Sequence, residues 1–296
     1  MDFGKIIARS LKISWKYKTL WALGFFASFI GGSSVFIGKD HETRASDFVS
    51  QHPWLLAIII GYIILLLLFF LIMHLICTAG LIDAVSRFEK NGLPGLKESF
   101  KSGSTYFWKF LSLWLMAIVI AIVCFGLVAL PIALTFWASV TAGFLFLVIL
   151  IPPGFVIIFF LFSIYSLAQR EIVIGNCHLF ESIRNAFLLL KKNIRRNLIV
   201  FLVDFITALI LFSLNTFLLL LFAIPLILMA IQSTAAVILL LLVEVPIFIL
   251  IAILLTGFFG AFMNSLYTVF YMELKKMATP AESPEISSDK IAGELS

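Results

Sequence analysis

Charge is scarce in this 296-residue chain: Asp, Glu, Lys and Arg together make up 12% of it, about half the share of an ordinary soluble domain. Residues 110–169 contain no acidic, basic or histidine side chain, and residues 54–82 contain no Asp, Glu, Lys or Arg. Each stretch is longer than the roughly 20 residues needed to cross a hydrocarbon core. With 62% hydrophobic residues and a mean hydropathy of +1.14, a water-soluble globule is excluded. Cysteine is also sparse. Cys77, Cys124 and Cys177 are scattered and odd in number, which provides neither a disulfide framework nor a metal spacing. No phosphate-binding Gly-rich loop, His-Glu-x-x-His or Gly-x-Ser-x-Gly occurs. The sequence therefore nominates no catalytic residue, cofactor or metal ligand, and the chain reads as a non-enzyme. In the polar stretch after the first apolar run, Asp40, His41, Glu42, Asp47 and His52 lack the paired spacing of a metal site.

Apolar sequence punctuated by charge predicts an all-α polytopic membrane protein. Six spans are expected, at about 19–38, 54–82, 110–134, 142–169, 198–222 and 237–272, within a membrane domain of residues 1–276. A polar, proline-containing tail, 277–296, reads as disordered. Residues 198–272 are long enough for three crossings. Two are preferred, joined by an apolar turn around Pro225 to Thr234, because three would move Lys275 and Lys276 outside. Pro152 and Pro153 should kink or split the fourth span. Lys and Arg resist translocation in short loops, and nearly all of them fall between alternate spans, leaving only Lys39 and Arg44 on the other side. Both termini should then face the cytoplasm of a cell whose inner membrane holds the chain. Trp15, Tyr17, Trp21, Tyr106, Trp108, Tyr267 and Tyr271 mark the expected inner boundary, with Trp54 and Trp137 at the outer one.

The six spans group as three tandem hairpins. Before each hairpin stands a basic segment: "SLKISWKYKTLWAL" from Ser10, "SFKSGSTYFWKFLSLWL" from Ser99 and "SIRNAFLLLKKNIRRNLIVFL" from Ser182. These share a serine, an apolar residue and a cation, then another cation just before the apolar run, which is the mark of an internal repeat. In the third, Phe180, Ile183, Phe187, Leu190 and Ile194 follow helical spacing. A basic amphipathic helix of this kind lies in the headgroup plane with its cations toward anionic lipid. The expected headgroup contacts are Lys12, Lys16, Lys18, Lys97, Lys101, Lys109, Arg184, Lys191, Lys192, Arg195 and Arg196. A net charge of +5 spread over such short segments points to a membrane surface rather than nucleic acid. The same elbows also serve simply to hold each hairpin in its orientation.

The runs "ARSLKISWKYKTLWALGFF" and "AQREIVIGNCHLFESIRNAFLLLKKNIRRNL" resemble the bacterial multi-pass membrane domain carried by some glycerophosphodiester phosphodiesterases and by stand-alone relatives. The resemblance extends loosely over most of the chain. It implies a membrane domain and transfers no hydrolase residue, because the soluble catalytic barrel of those enzymes has no counterpart among these 296 residues.

Ionisable or polar groups inside apolar runs are candidate functional residues, and here they are Asp204, Glu244, Asn215, Asn264 and His74. Asp204 stands within reach of Arg195 or Arg196 for a structural ion pair; it lies near the cytoplasmic end of its span while Glu244 falls near the outer face, so the two acids should not form a dyad. Gly24, Ser28 and Gly32 in the first run, and Gly257, Ala261 and Ser265 in the last, repeat every four residues. That spacing lets helix backbones approach closely, so the first and sixth spans should touch or form a dimer seam. Three functional readings remain, in this order: a membrane scaffold or accessory that contacts anionic lipid, a protein partner or another copy of itself; a transporter or channel for a small or lipid-like solute; and an intramembrane enzyme.

Overall fold

In hydrocarbon no water satisfies the backbone, so an apolar run must close its hydrogen bonds within itself as a helix. The computed structural model describes residues 2–28, 53–91, 95–230 and 234–278. Its helices are α1 (Phe3–Lys16), α2 (Thr19–Ser28), α3 (Pro53–Asn91), α4 (Leu96–Thr105), α5 (Phe107–Ala138), α6 (Val140–Ile174), α7 (Leu179–Lys192), α8 (Ile194–Ala230) and α9 (Thr234–Ala278). The described residues contain no strand. Five of these helices are long and apolar enough to cross a membrane, over Ala57–Phe88, Phe107–Trp137, Val140–Ile174, Ile194–Pro225 and Leu240–Met277. The chain is a multi-pass membrane protein. Of the first apolar run only Thr19–Ser28 is described, and the rest of it lies outside the described residues, together with Gly32, the acidic stretch at 40–52 and the tail from 279.

Several boundaries differ from those expected. Pro152 and Pro153 lie inside an unbroken α6, because the turn they weaken is surrounded by apolar residues with no competing solvent partner. Residues 198–272 fall in two long helices, with Pro225 inside α8 rather than in a turn. Ser139 alone separates α5 from α6; its hydroxyl caps α6 by accepting from the Ala142 amide at 3.5 Å.

The long helices exceed the bilayer. At 45 residues, α9 is about 68 Å long, against a hydrocarbon core of about 30 Å. Burial shows how the surplus is used. Large apolar side chains are exposed from Trp54 to Phe69, Leu115 to Trp137, Val140 to Phe162, Leu198 to Ile224 and Leu241 to Leu254. Beyond one end of these bands the same helices turn inward on one another. Leu75, Leu81 and Ile82 of α3, Phe110 and Leu113 of α5, Leu167 and Ile172 of α6, and Leu266, Phe270 and Leu274 of α9 are fully or almost fully buried. What reads in sequence as one apolar span is thus an outward-facing stretch followed by a packed layer. Tyr267 and Tyr271 belong to that layer and are buried against protein.

The short helices complete the layer. Helix breaks at Tyr17 and Lys18, at Tyr106 and at Asn193 separate α1, α4 and α7 from the helices that follow them. Asp2 caps α1 by accepting from the Lys5 amide at 3.3 Å, and Glu98 turns back to the Gly95 amide at the start of α4, also at 3.3 Å. Each short helix packs on a different long one: α1 on α9, α4 on α3 and α7 on α6. Each does so through small residues four apart: Ser10 and Ser14, Ser99 and Gly103, Ser182 and Ala186, all buried. The aligned serines of the three basic segments are therefore packing residues. The long helices α3, α6 and α9 touch one another, and the pairs α2 with α3, α5 with α6 and α8 with α9 are each in contact.

Most extensive is the contact of α2 with α9. A Cβ added at Gly24 would collide with the Gly257 carbonyl and the Ala261 amide, one at Gly257 with the Trp21 carbonyl, and one at Gly260 with Ser28 and the Gly24 carbonyl. Side chains cannot enter this crossing without parting the helices. Gly24→Leu is accordingly expected to destabilise the protein by about 1–3 kcal/mol through overpacking, read as a lowered unfolding midpoint in detergent. Gly126 has open space where its Cβ would be, so Gly126→Ala should leave the midpoint nearly unchanged.

Candidate functional site: a polar cluster within the packed layer

The packed layer holds the buried polar groups. Towards its end α6 carries the sequence Ser166-Leu167-Ala168-Gln169-Arg170-Glu171, every residue of it buried. Arg170 is 2% exposed, whereas positive-inside counting treats it as an ordinary flanking cation. Its Nη1 donates to the Ser166 carbonyl at 2.7 Å, to Ser166 Oγ at 3.0 Å and to Gln169 Oε1 at 3.1 Å. Its Nη2 donates to Asn264 Oδ1 on α9 at 3.4 Å, and the guanidinium stands 5.3 Å from the centre of the Tyr267 ring. Arg170 Nε is left buried without a hydrogen bond. A buried cation survives only when charge-assisted bonds and an aromatic face replace its water.

Asp204 on α8 joins this group. Its carboxyl faces the Tyr267 hydroxyl, which falls short of hydrogen-bond geometry, and lies within electrostatic range of Arg170. The partner is therefore not the one that chain spacing proposes: Arg196 instead donates to Asn193 Oδ1 at 2.9 Å, and Arg195 is exposed. Burial explains the choice, because a carboxylate turned into the layer can be compensated only by a cation already inside it. Three helices thereby converge on one polar point.

Glu171, next in sequence, faces the opposite way. Its carboxylate meets Lys275 of α9 at 3.7 Å and Cys177 Sγ at 3.8 Å, and it neighbours the hydroxyl of Tyr271, which accepts from Lys275 at 3.2 Å. After α6 the chain turns through Asn176, whose φ of 51° is in the left-handed region that asparagine tolerates better than most residues. This turn brings the Cys177 carbonyl to 3.5 Å from Lys109 Nζ. Burial pushes the Cys177 thiol above its ordinary pKa. The negative charges of Glu171 and Glu181 push it further up, and Lys275 draws it partly back.

The other singled-out residues are dispersed. His74 Nδ1 lies 3.3 Å from the Phe26 carbonyl and ties α3 to α2. Asn215 and Asn264 donate to carbonyls of their own helices, at 2.9 and 3.1 Å. Glu244 has one buried carboxyl oxygen without a hydrogen bond, far along α9 from the polar cluster. Ser265 is fully buried. Among the described residues no three His, Cys, Asp or Glu side chains come together as a metal site would require. Lys12, Lys16, Lys18, Lys97, Lys101, Arg184, Lys191, Lys192 and Arg195 are exposed, while Lys109 and Arg196 are half-buried. The apolar stripe expected of α7 is divided: Leu190 is buried and Ile183 half-buried, but Phe180 is 79% exposed and Phe187 is exposed with it. The helix docks through Ser182 and Ala186 instead, since small residues allow the closer approach.

No family model matches this chain, and neither a curated protein nor a solved structure matches it significantly.

Removing one member of a buried charged group strands the rest. Arg170→Met is expected to cost about 3 kcal/mol of stability by that mechanism, Asp204→Asn less, and the double variant less than the two together. Unfolding midpoints of the four proteins in one detergent measure the coupling.

Proposed function

We propose that this chain is a six-crossing inner-membrane protein of three tandem hairpins, with both termini cytoplasmic, and that it is a scaffold or accessory whose cytoplasmic layer contacts anionic lipid. The observation that carries this reading is the build of the short helices. Each docks one face through small residues and leaves cations on the other: Lys5, Lys12 and Lys16 on α1, Lys97 and Lys101 on α4, and Arg184, Lys191 and Lys192 on α7. Exposed Trp15 and Leu11 on α1, Phe180 and Phe187 on α7, and Trp108 at the start of α5 lie among these cations. Exposed aromatic residues beside Lys and Arg are the composition of a surface that meets headgroups. The excess of cations supports a cytoplasmic position for the packed layer.

No catalytic role is assigned to the buried cluster, which we read as a structural lock between α6, α8 and α9. A transporter for a small or lipid-like solute is the alternative, and it requires an aqueous cavity beside Asp204, Glu244, Asn215 or Asn264. Three of those four side chains face Arg170 and Tyr267 or bond to their own helix, which supports a filled bundle. Resemblance to the membrane domain of glycerophosphodiester phosphodiesterases accords with either reading and adds no substrate.

Two measurements test the proposal. In a variant whose only cysteine is Cys177, a membrane-impermeant maleimide should react in inverted vesicles and not in intact spheroplasts. Because its folded pKa is raised, the thiol should react slowly at neutral pH and speed up as pH climbs through that raised value. Glu171→Gln should accelerate it at fixed pH. Labelling from the periplasmic face would reverse the topology. Separately, neutralising Lys191, Lys192, Arg195 and Arg196 to Gln should reduce co-purifying anionic lipid severalfold, at about 1 kcal/mol per cation near the surface; unchanged lipid would remove the contact.

A further inference from the structure

Where α3 ends, the polar loop after α6 and the elbow between α4 and α5 enclose an open cleft of about 600 Å³, lined by Arg87, Glu98, Lys101, Ser102, Thr105, Tyr106, Lys109 and Asn176. We infer that this cleft is a binding site for the phosphate headgroup of one anionic phospholipid, a specific site within the general lipid contact proposed above and dependent on that reading.

Charge is the first reason. Three cations from three different helices line the cleft; Glu98, the one lining carboxylate, is turned toward the Gly95 amide, and a second carboxylate, Asp83, stands behind Arg87. Arg87 binds Asp83 through Nε, at 2.9 and 3.0 Å to the two carboxyl oxygens. This fixes the guanidinium plane, and among the described residues no hydrogen bond occupies its terminal nitrogens. A planar donor fork held from behind is the geometry that takes two phosphate oxygens. Lys109 is steadied by the Cys177 carbonyl at 3.5 Å and lies 6.0 Å from the Tyr106 ring centre. The hydroxyls of Ser102 and Tyr106 add neutral donors suited to ester oxygens or a polar headgroup, whereas Thr105 Oγ1 already donates to the Ser102 carbonyl at 2.7 Å.

Position is the second reason, and it selects a lipid over a free phosphate. Trp108, adjacent to Lys109, is 73% exposed, as an interfacial ring is. From Leu115 through Val119, Ile122 and Leu127, α5 presents exposed apolar side chains along which acyl chains can lie. Leu115, Val119 and Ile122 share the side of α5 that carries Trp108, about 100° around the helix from Lys109, so the hydrocarbon of a phosphate ester held at Lys109 would pass the Trp108 ring to reach them.

The test uses the full-length protein in detergent, titrated with short-chain phosphatidylglycerol, short-chain phosphatidylcholine and inorganic phosphate, and examined by native mass spectrometry for retained lipid. Wild-type protein should hold one phosphatidylglycerol in preference to phosphatidylcholine. Joint substitution of Arg87→Gln, Lys101→Gln and Lys109→Gln should weaken it about tenfold or more, given the worth of each cation near lipid. Thr105→Trp, which fills the cleft without altering charge, should weaken it as well and stands as the check should the triple variant fold poorly. The variant at the end of α7 and the start of α8 that lacks Lys191, Lys192, Arg195 and Arg196 should keep this single lipid while losing the looser ones. Inorganic phosphate bound as tightly as the lipid would overturn the lipid assignment in favour of a free anion. If the triple and Thr105→Trp variants bind like wild type while the variant at the end of α7 and the start of α8 loses lipid, the cleft is refuted and the general contact stands. If no variant differs from wild type, both are refuted.

Discussion

Close approach of helix backbones at small residues is the constraint on which this architecture depends. In lipid, apolar side chains gain nothing by leaving one hydrocarbon surface for another, so helix association rests on van der Waals contact and hydrogen bonds at short range. Gly24 against Gly257 and Ala261, Gly80 against Ser99, and Gly103 against Ile76 are contacts in which a Cβ would collide with backbone. They pin α2 to α9 and α4 to α3. The buried Ser182 and Ala186 give α7 a matching face for α6. Because one short helix docks on each of α3, α6 and α9, and these three also touch one another, the layer closes on itself.

That closure creates an interior where polar groups can be held. Arg170, Asp204 and Tyr267 belong to three different helices; Arg170 and Tyr267 are buried and Asp204 is half-buried. Such a group contributes little net stability over an apolar replacement, because the cost of desolvation offsets the attraction. Its effect is to set register: α6 and α9 can slide or rotate only by parting Arg170 from Asn264 and the Tyr267 ring, and α8 only by withdrawing Asp204 from Arg170 and Tyr267. Glu171 with Lys275 and Tyr271 makes a second such contact between α6 and α9, on the other face of α6.

The same layer explains how one apolar sequence serves two environments. Far from the short helices the five long helices expose their large side chains, as segments meeting lipid do. Near them, segments of similar hydropathy are enclosed by protein. The short helices make the difference, since they cover the surplus helix length with one face and present cations on the other. Lipid contact, as proposed here, is therefore a consequence of how the bundle is completed rather than a separate module.

The residue pattern by itself determined that the chain is helical, that it is a membrane protein, and that three basic segments precede apolar runs. These follow from local physics, namely backbone bonds that must close in oil and a 3.6-residue period read from near neighbours. The four-residue spacing of Gly24 and Ser28, and of Gly257 and Ala261, was equally legible, because it too is a property of one helix at a time. Only the tertiary structure decided that Asp204 faces Arg170 and Tyr267 rather than Arg196, that the aligned serines are buried, that Phe180 and Phe187 turn outward, and that Arg87, Lys101 and Lys109 share a cleft. Those outcomes depend on which helices are neighbours and at what rotation. In an apolar run with almost every side chain alike, hydropathy carries no mark of which face meets lipid and which meets protein.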